Sequence, residues 1–156
     1  MRRPSPKLGH DMNRASFKIL KQKVKMKEHK LHLTVRDYEC DLQGIVNNAV
    51  YLNYLEHARH TFLLKEGIDF AKLHKQGVDL VVSRIEIDYK QSLASGDEFI
   101  ITSSMHKEGH LRVIFTQKIN RALDNKLVVN ARVVGVGIKN GRPLRVTDIE
   151  GFKEIE

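Results

Sequence analysis

Asp41 stands three residues before Gly44 and six before Asn47, on a stretch that runs straight into a segment able to form a helix. A carboxylate there can attack a carbonyl directly or orient a water for attack. Asn47 and Asn48 are helix N-cap types, and the first N–H groups of a helix lack internal partners and carry partial positive charge. Such a terminus can hold the oxygen of a carbonyl under attack. Gly44 allows the loop to turn and a substrate to approach the backbone closely. An Asp-x-x-Gly before a helix is also common as a plain structural turn, so the residue types alone leave both roles for Asp41 open.

The elements that must position these groups follow from periodicity. His29 to Arg36 alternates apolar and polar residues, as a strand buried on one face does. After the Asp37–Val46 loop, the run from Ala49 to Lys65 has no Gly or Pro, and Tyr51, Leu55, Ala58 and Phe62 fall at helical spacing, widened by Leu52, Leu63 and Leu64. Gly67 stops it. A short segment spans Phe70 to Lys75. Strands are expected over Val78–Tyr89, with Val81, Ser83, Ile85, Ile87 and Tyr89 on one face, then over Glu98–His106, His110–Asn120 and Leu127–Ile138. Turns at Ser95-Gly96-Asp97, Glu108-Gly109, Asp124-Asn125 and Asn140-Gly141 separate them, and Arg142-Pro143-Leu144 starts an extended tail. Hairpin-length turns make the sheet antiparallel. The expected fold is α+β, a long central helix wrapped by a curved antiparallel sheet of about five strands.

Composition narrows the class. The 156 residues fit one domain, and no apolar run approaches the ~20 residues needed to cross a bilayer. No apolar signal-peptide core follows the basic N-terminus, and the single Cys40 fits a reducing compartment, so a cytoplasmic address is expected. The net charge is +8. Residues 1–30 hold ten Lys or Arg against Asp11 and Glu28, while 31–156 hold seventeen of each sign. The excess belongs to a basic, flexible arm over 1–27 ahead of a neutral domain over 28–156, so nucleic acid is not an expected partner.

Two blocks carry a resemblance. Asp41-Leu42-Gln43-Gly44-Ile45-Val46-Asn47-Asn48-Ala49-Val50-Tyr51, continuing to Arg59, resembles the signature of the 4-hydroxybenzoyl-CoA thioesterase family of hotdog proteins. Val81 to Tyr89, followed by Leu93, Gly96 and Asp97, resembles that family's second strand and turn. The resemblance implies a hotdog fold, a homodimer or homotetramer with sites at subunit interfaces, and hydrolysis of an acyl-CoA thioester without a cofactor or metal. It places the catalytic carboxylate on Asp41 and the carbonyl-polarising backbone N–H on Asn48, with Gly44 between, and makes Val46, Asn47 and Tyr51 the expected substrate contacts. Many relatives carry Tyr-His where this chain has Asn47-Asn48, and the Val-Asn-Asn-x-x-Tyr form also resembles acyl-ACP thioesterases.

Other candidates are weaker. Glu56 occupies the mid-helix place of the catalytic Glu in another hotdog branch, but it equally suits a partner for Arg59 or His60. Arg84, Lys90, Lys107 and Arg112 are cations that could meet CoA phosphates. A dehydratase would pair Asp41 with a His five residues on, where Val46 stands. A non-catalytic acyl-CoA-binding domain is the remaining alternative.

Overall fold

The computed structural model describes residues 27–153 and 155; the basic arm, apart from Lys27, lies outside them. Strands β1 (Glu28–Thr34), β2 (Val78–Tyr89), β3 (Glu98–Glu108), β4 (Arg112–Arg121) and β5 (Leu127–Lys139) form one antiparallel sheet in the order β1-β3-β4-β5-β2. Helix α1 (Asn48–Lys65) lies in the hollow of the curled sheet, and a short α2 (Phe70–Lys75) follows it. This is the hotdog arrangement expected from the sequence.

Two features differ from expectation. Arg142–Leu144 is not a free tail but a sixth strand, β6, paired with β5 through the Asn140-Gly141 turn, whose residues have φ of 51° and 76°. A 3-10 turn at Val146–Asp148 then brings Val146, Ile149 and Phe152 into the core. Gly137 makes room for this return, because a Cβ there would lie 2.4 Å from Ile149 Cδ1. Ser83, the second feature, is a bulge: Val82 opposes Gly135 and Arg84 opposes Val134, leaving Ser83 without a cross-strand partner. Its hydroxyl donates to the Val134 carbonyl at 3.3 Å. The bulge resets the alternation, so Ile85, Ile87 and Tyr89 face the helix with Val82, whereas Val81 faces outward with Arg84.

Two apolar clusters make the core. One gathers Tyr51, Tyr54, Leu55 and Ala58 of α1 with Phe99, Ile101 and Ile119. The other gathers Phe62 and Leu63 with Met105, Phe115, Ile149 and Phe152. A polar row runs between them. His29, Ser103 and Gln117 are directly opposite one another on β1, β3 and β4, and all three are buried. The Gln117 amide donates to Leu55 O at 3.0 Å and to Ser103 Oγ at 2.9 Å, and its oxygen accepts from Arg59 Nη1 at 3.0 Å. Arg59 is therefore an inward residue of α1 despite its charge, and burial pulls its pKa down. Across the outer face, Arg84–Glu86, Arg132–Glu108 and Arg112–Glu108 pair at 2.6, 2.8 and 3.4 Å, a charged layer over β2, β5, β4 and the end of β3.

His29 stacks on Phe62 with ring centroids 5.7 Å apart, and both its ring nitrogens are buried without a partner. Burial, chiefly, and the nearby Lys65 lower its pKa below the ordinary 6.5, with Glu66 opposing. The unfolded chain therefore takes up this proton first as pH falls. Stability that is intact above about pH 6.5 should decline toward pH 5. Melting curves between those limits should show this fall, and His29→Phe, which cannot titrate, should flatten it.

Candidate active site

The segment from β1 to α1 is built of short local bonds. Arg36 closes β1, Asp37–Glu39 forms a 3-10 turn, and Cys40 pairs with Val46 across a small loop. Within that loop the Asp41 N–H donates to Ile45 O at 2.8 Å, and the Gly44 N–H to Asp41 O at 3.0 Å. Gly44 has φ +77°, and nothing lies within 4 Å of where its Cβ would be, so the left-handed turn rather than crowding calls for glycine. Asp41 is half-exposed, and its Oδ1 accepts the Gln43 N–H at 2.8 Å. The plain structural role for this Asp is thus present, at one oxygen. Oδ2 meets no partner among the described residues.

Helix α1 starts as its caps require. The Asn47 side-chain oxygen accepts the Ala49 N–H at 2.9 Å, and the Val50 N–H donates to Asn47 O at 2.9 Å. The Asn48 N–H meets no acceptor among the described residues, at the positive end of an 18-residue helix.

Beside this terminus opens a cleft of about 380 Å³, lined by Ile45, Val46, Asn48, Tyr51, Tyr89, Lys90, Gln91 and Ser92. Of the residues singled out in the sequence, Val46, Asn48 and Tyr51 form its wall together. Asp41, Gly44 and Asn47 are not among its lining residues, and the Asn47 side chain is spent on the cap. Val46 is also a core residue, its N–H bound to Leu93 O at 2.8 Å. The Tyr51 hydroxyl accepts the Leu93 N–H at 3.2 Å, and burial raises that phenol's pKa. Glu56 faces solvent, 3.9 Å from His60, as a helix-surface pair. Arg84 and Arg112 are engaged with Glu86 and Glu108, and Lys90, 4.0 Å from Asp88, lines the cleft wall.

Two features went unseen in the sequence. Tyr89 reads there only as the last residue of a strand face, yet its hydroxyl donates to Asn48 O at 3.1 Å and its ring packs edge-on against Tyr51 at 5.6 Å. Glu39 likewise carries no spacing signal, and its Oε2 accepts the Tyr54 hydroxyl at 2.5 Å.

Residues 35–152 match the family model described as the thioesterase-like superfamily. Over 119 residues the chain is 34% identical to the chloroplastic acyl-acyl carrier protein thioesterase ATL3 of Arabidopsis thaliana, covering 76% of this chain and 63% of that one. It thus spans a little under two thirds of that relative's length. It is 30% identical over 106 residues to the long-chain acyl-CoA thioesterase FadM of Escherichia coli, covering 68% of this chain and 80% of that one. A solved 1,4-dihydroxy-2-naphthoyl-CoA thioesterase from Synechocystis superposes with a TM-score of 0.76 over 81% of this chain and 93% of its own, a likeness of fold at 16% identity.

Because the Asn47 side chain holds the first turn of α1, Asn47→Ala should cost about 1 kcal/mol of folding stability. Urea denaturation of the two proteins measures the difference.

Proposed function

We infer the reaction from one premise, which is that the chain belongs to the thioesterase-like superfamily. The substrate is an acyl thioester, with coenzyme A as the thiol carrier and an acyl carrier protein as the competing one. FadM is named for an acyl-CoA and ATL3 for an acyl carrier protein, so both carriers belong in the substrate panel.

The observation that carries this function is the Asn48 N–H, without an acceptor among the described residues, at the wall of a cleft and on the positive end of a long helix. A thioester carbonyl oxygen accepts that N–H, and negative charge developing on it during attack is stabilised there. Asp41 Oδ2, which meets no partner among the described residues, supplies the attack in one of two ways. It adds to the carbonyl carbon, forming a mixed anhydride that water then opens, or it takes a proton from a water that adds instead. In both routes the C–S bond breaks, the thiolate leaves and is protonated, and the free acid departs. Lys90 at the cleft wall offers a cation for the carrier's phosphate.

A second copy completes the arrangement. β2 is an edge strand, paired on one side only with β5, and it exposes Val81, Val82, Ile85 and Tyr89 at 37%, 47%, 37% and 47%. A long apolar edge of this kind calls for cover. Antiparallel pairing of two β2 strands about a twofold axis supplies it. Because Tyr89, the last residue of β2, and Lys90 after it line the cleft, the partner then lies beside the site. Among the described residues no helix is long and apolar enough to cross a membrane. Cys40 is a free thiol, in keeping with a cytoplasmic protein.

Thiol release from acyl-CoA and acyl carrier protein substrates of graded chain length tests the activity. Asp41→Asn should lower kcat by ~10²-fold or more with the fold intact. Unchanged turnover in that variant would remove Asp41 from the reaction. Single-turnover hydrolysis in ¹⁸O-water tests the first route, since label in the Asp41 carboxylate requires direct attack followed by water opening the anhydride at the aspartyl carbon.

Ile85→Lys puts a charge at a partly exposed position of the β2 edge and should convert the dimer to monomer in analytical ultracentrifugation. A wild-type monomer at working concentration would rule out this interface.

A further inference from the structure

The bonds that shape the Asp41 loop are nearly all internal to it: Asp41 to Ile45, Gly44 to Asp41, Gln43 to the carboxylate itself. They define a turn but do not fix where the turn stands relative to α1. Backbone pairings at Cys40–Val46 and Ile45–Ala94 hold its returning limb. On the outgoing limb, the Asp37 carboxylate accepts the Ser95 hydroxyl, and Glu39 gathers the ties to the helix. The Glu39 carbonyl accepts the Asn47 N–H at 3.0 Å, joining the limb to the helix cap. Its carboxylate accepts the Arg36 N–H at 2.8 Å and the Tyr54 hydroxyl at 2.5 Å, joining it to the end of β1 and to the body of the helix.

Tyr54 is a firm anchor. Its side chain is buried, it meets Tyr51 edge-on at 89°, and its ring centroid lies 4.8 Å from that of Phe99. Burial first, and Glu39 second, raise its pKa, so the phenol keeps its proton and remains a donor. From this anchor to the reacting carboxylate is a short lever. Cys40 between them is extended, and two extended residues span at most about 7 Å. A groove of about 450 Å³ has Arg36, Glu39, Val50 and Tyr54 among its walls, so the limb has room to move if released.

We propose that Glu39 is a positioning residue: its carboxylate, locked to the Tyr54 hydroxyl, holds Asp41 at the distance from the Asn48 N–H that the reaction needs. This rests on Asp41 as the reacting carboxylate. Neither Glu39 nor Tyr54 lines the cleft beside Asn48. A displacement of the order of 1 Å at a reacting group is enough for large rate losses.

The test uses four variants of the full chain, assayed on the best acyl-CoA of the panel, with melting temperature followed in each. Tyr54→Phe removes one oxygen from a buried ring, and Glu39→Leu removes the acceptor. Both should lower kcat by about tenfold or more while KM stays within about twofold. Glu39→Gln keeps a carbonyl oxygen for the phenol and should recover most of what Glu39→Leu loses. Tyr54→Phe added to Asp41→Asn should cost little beyond Asp41→Asn alone, because a misplaced group that is already absent cannot be misplaced further. If Tyr54→Phe turns over at the wild-type rate while Asp41→Asn is inactive, Glu39 does not position Asp41 and the catalytic carboxylate stands. Glu39 loses the positioning role equally if Glu39→Gln falls as far as Glu39→Leu. If Asp41→Asn itself keeps wild-type turnover, the premise has failed instead. Should Glu39→Leu not fold, Tyr54→Phe decides alone.

Discussion

The side-chain amide of Gln117 sets the frame on which everything else hangs. A buried amide must find partners for its donors and its acceptor, because each one left unmet costs ~1–3 kcal/mol. Here the partners come from two elements, Leu55 and Arg59 of the helix and Ser103 of β3, and the amide ties both to its own strand, β4. Apolar packing alone would let α1 slide or roll in the hollow of the sheet with modest penalty. The amide does not, since Leu55 O and Arg59 Nη1 meet it in only one axial and rotational setting. Arg59 adds force to the constraint. It is a buried cation that forms no ion pair among the described residues, with Glu56 acting on it only through the field, so Gln117's oxygen is its main hydrogen-bond partner there.

Fixing the helix fixes its leading end, and the site is assembled from that end outward. The cap at Asn47, the free N–H of Asn48 and the wall formed by Tyr51 belong to the first turns of the helix. Tyr89 ties the last residue of β2 to the same turn through Asn48 O, so the edge strand and the helix terminus share one wall. The Asp41 loop is then hung from the helix at two heights, the cap and Tyr54, both through Glu39. Polar bonds, which have direction, hold the parts that need placing. Apolar contacts fill the space around them.

Much of this was written locally in the chain. Asn140-Gly141, Ser95-Gly96-Asp97 and the uninterrupted run from Ala49 to Lys65 mark the hairpins and the helix, because turn chemistry and periodicity act over a few residues. Gly44 and Asn47 were legible for the same reason, and the two family blocks pointed to Asp41 and Asn48. What escaped depends on distant partners. Arg59 and Tyr54 carry polar groups of a kind that belongs outside until Gln117 and Glu39 receive them. Ser83 bulges without any Gly to signal it, and the shift of one residue moves Val81 to the other face. Val146, Ile149 and Phe152 follow a Pro and read as a loose end. Only the gap over Gly137, invisible in sequence, shows where they go.

That returning segment has a consequence for how the chain is made. Phe62 and Leu63 leave the ribosome early, yet the residues that cover them, Ile149 and Phe152, are separated from them by most of the domain. Until synthesis reaches those residues, the second half of the helix presents bare apolar surface on a nascent chain. The growing polypeptide therefore passes through a long window in which it is a natural client for chaperones, and a stall before Phe152 would leave a species prone to stick to its neighbours.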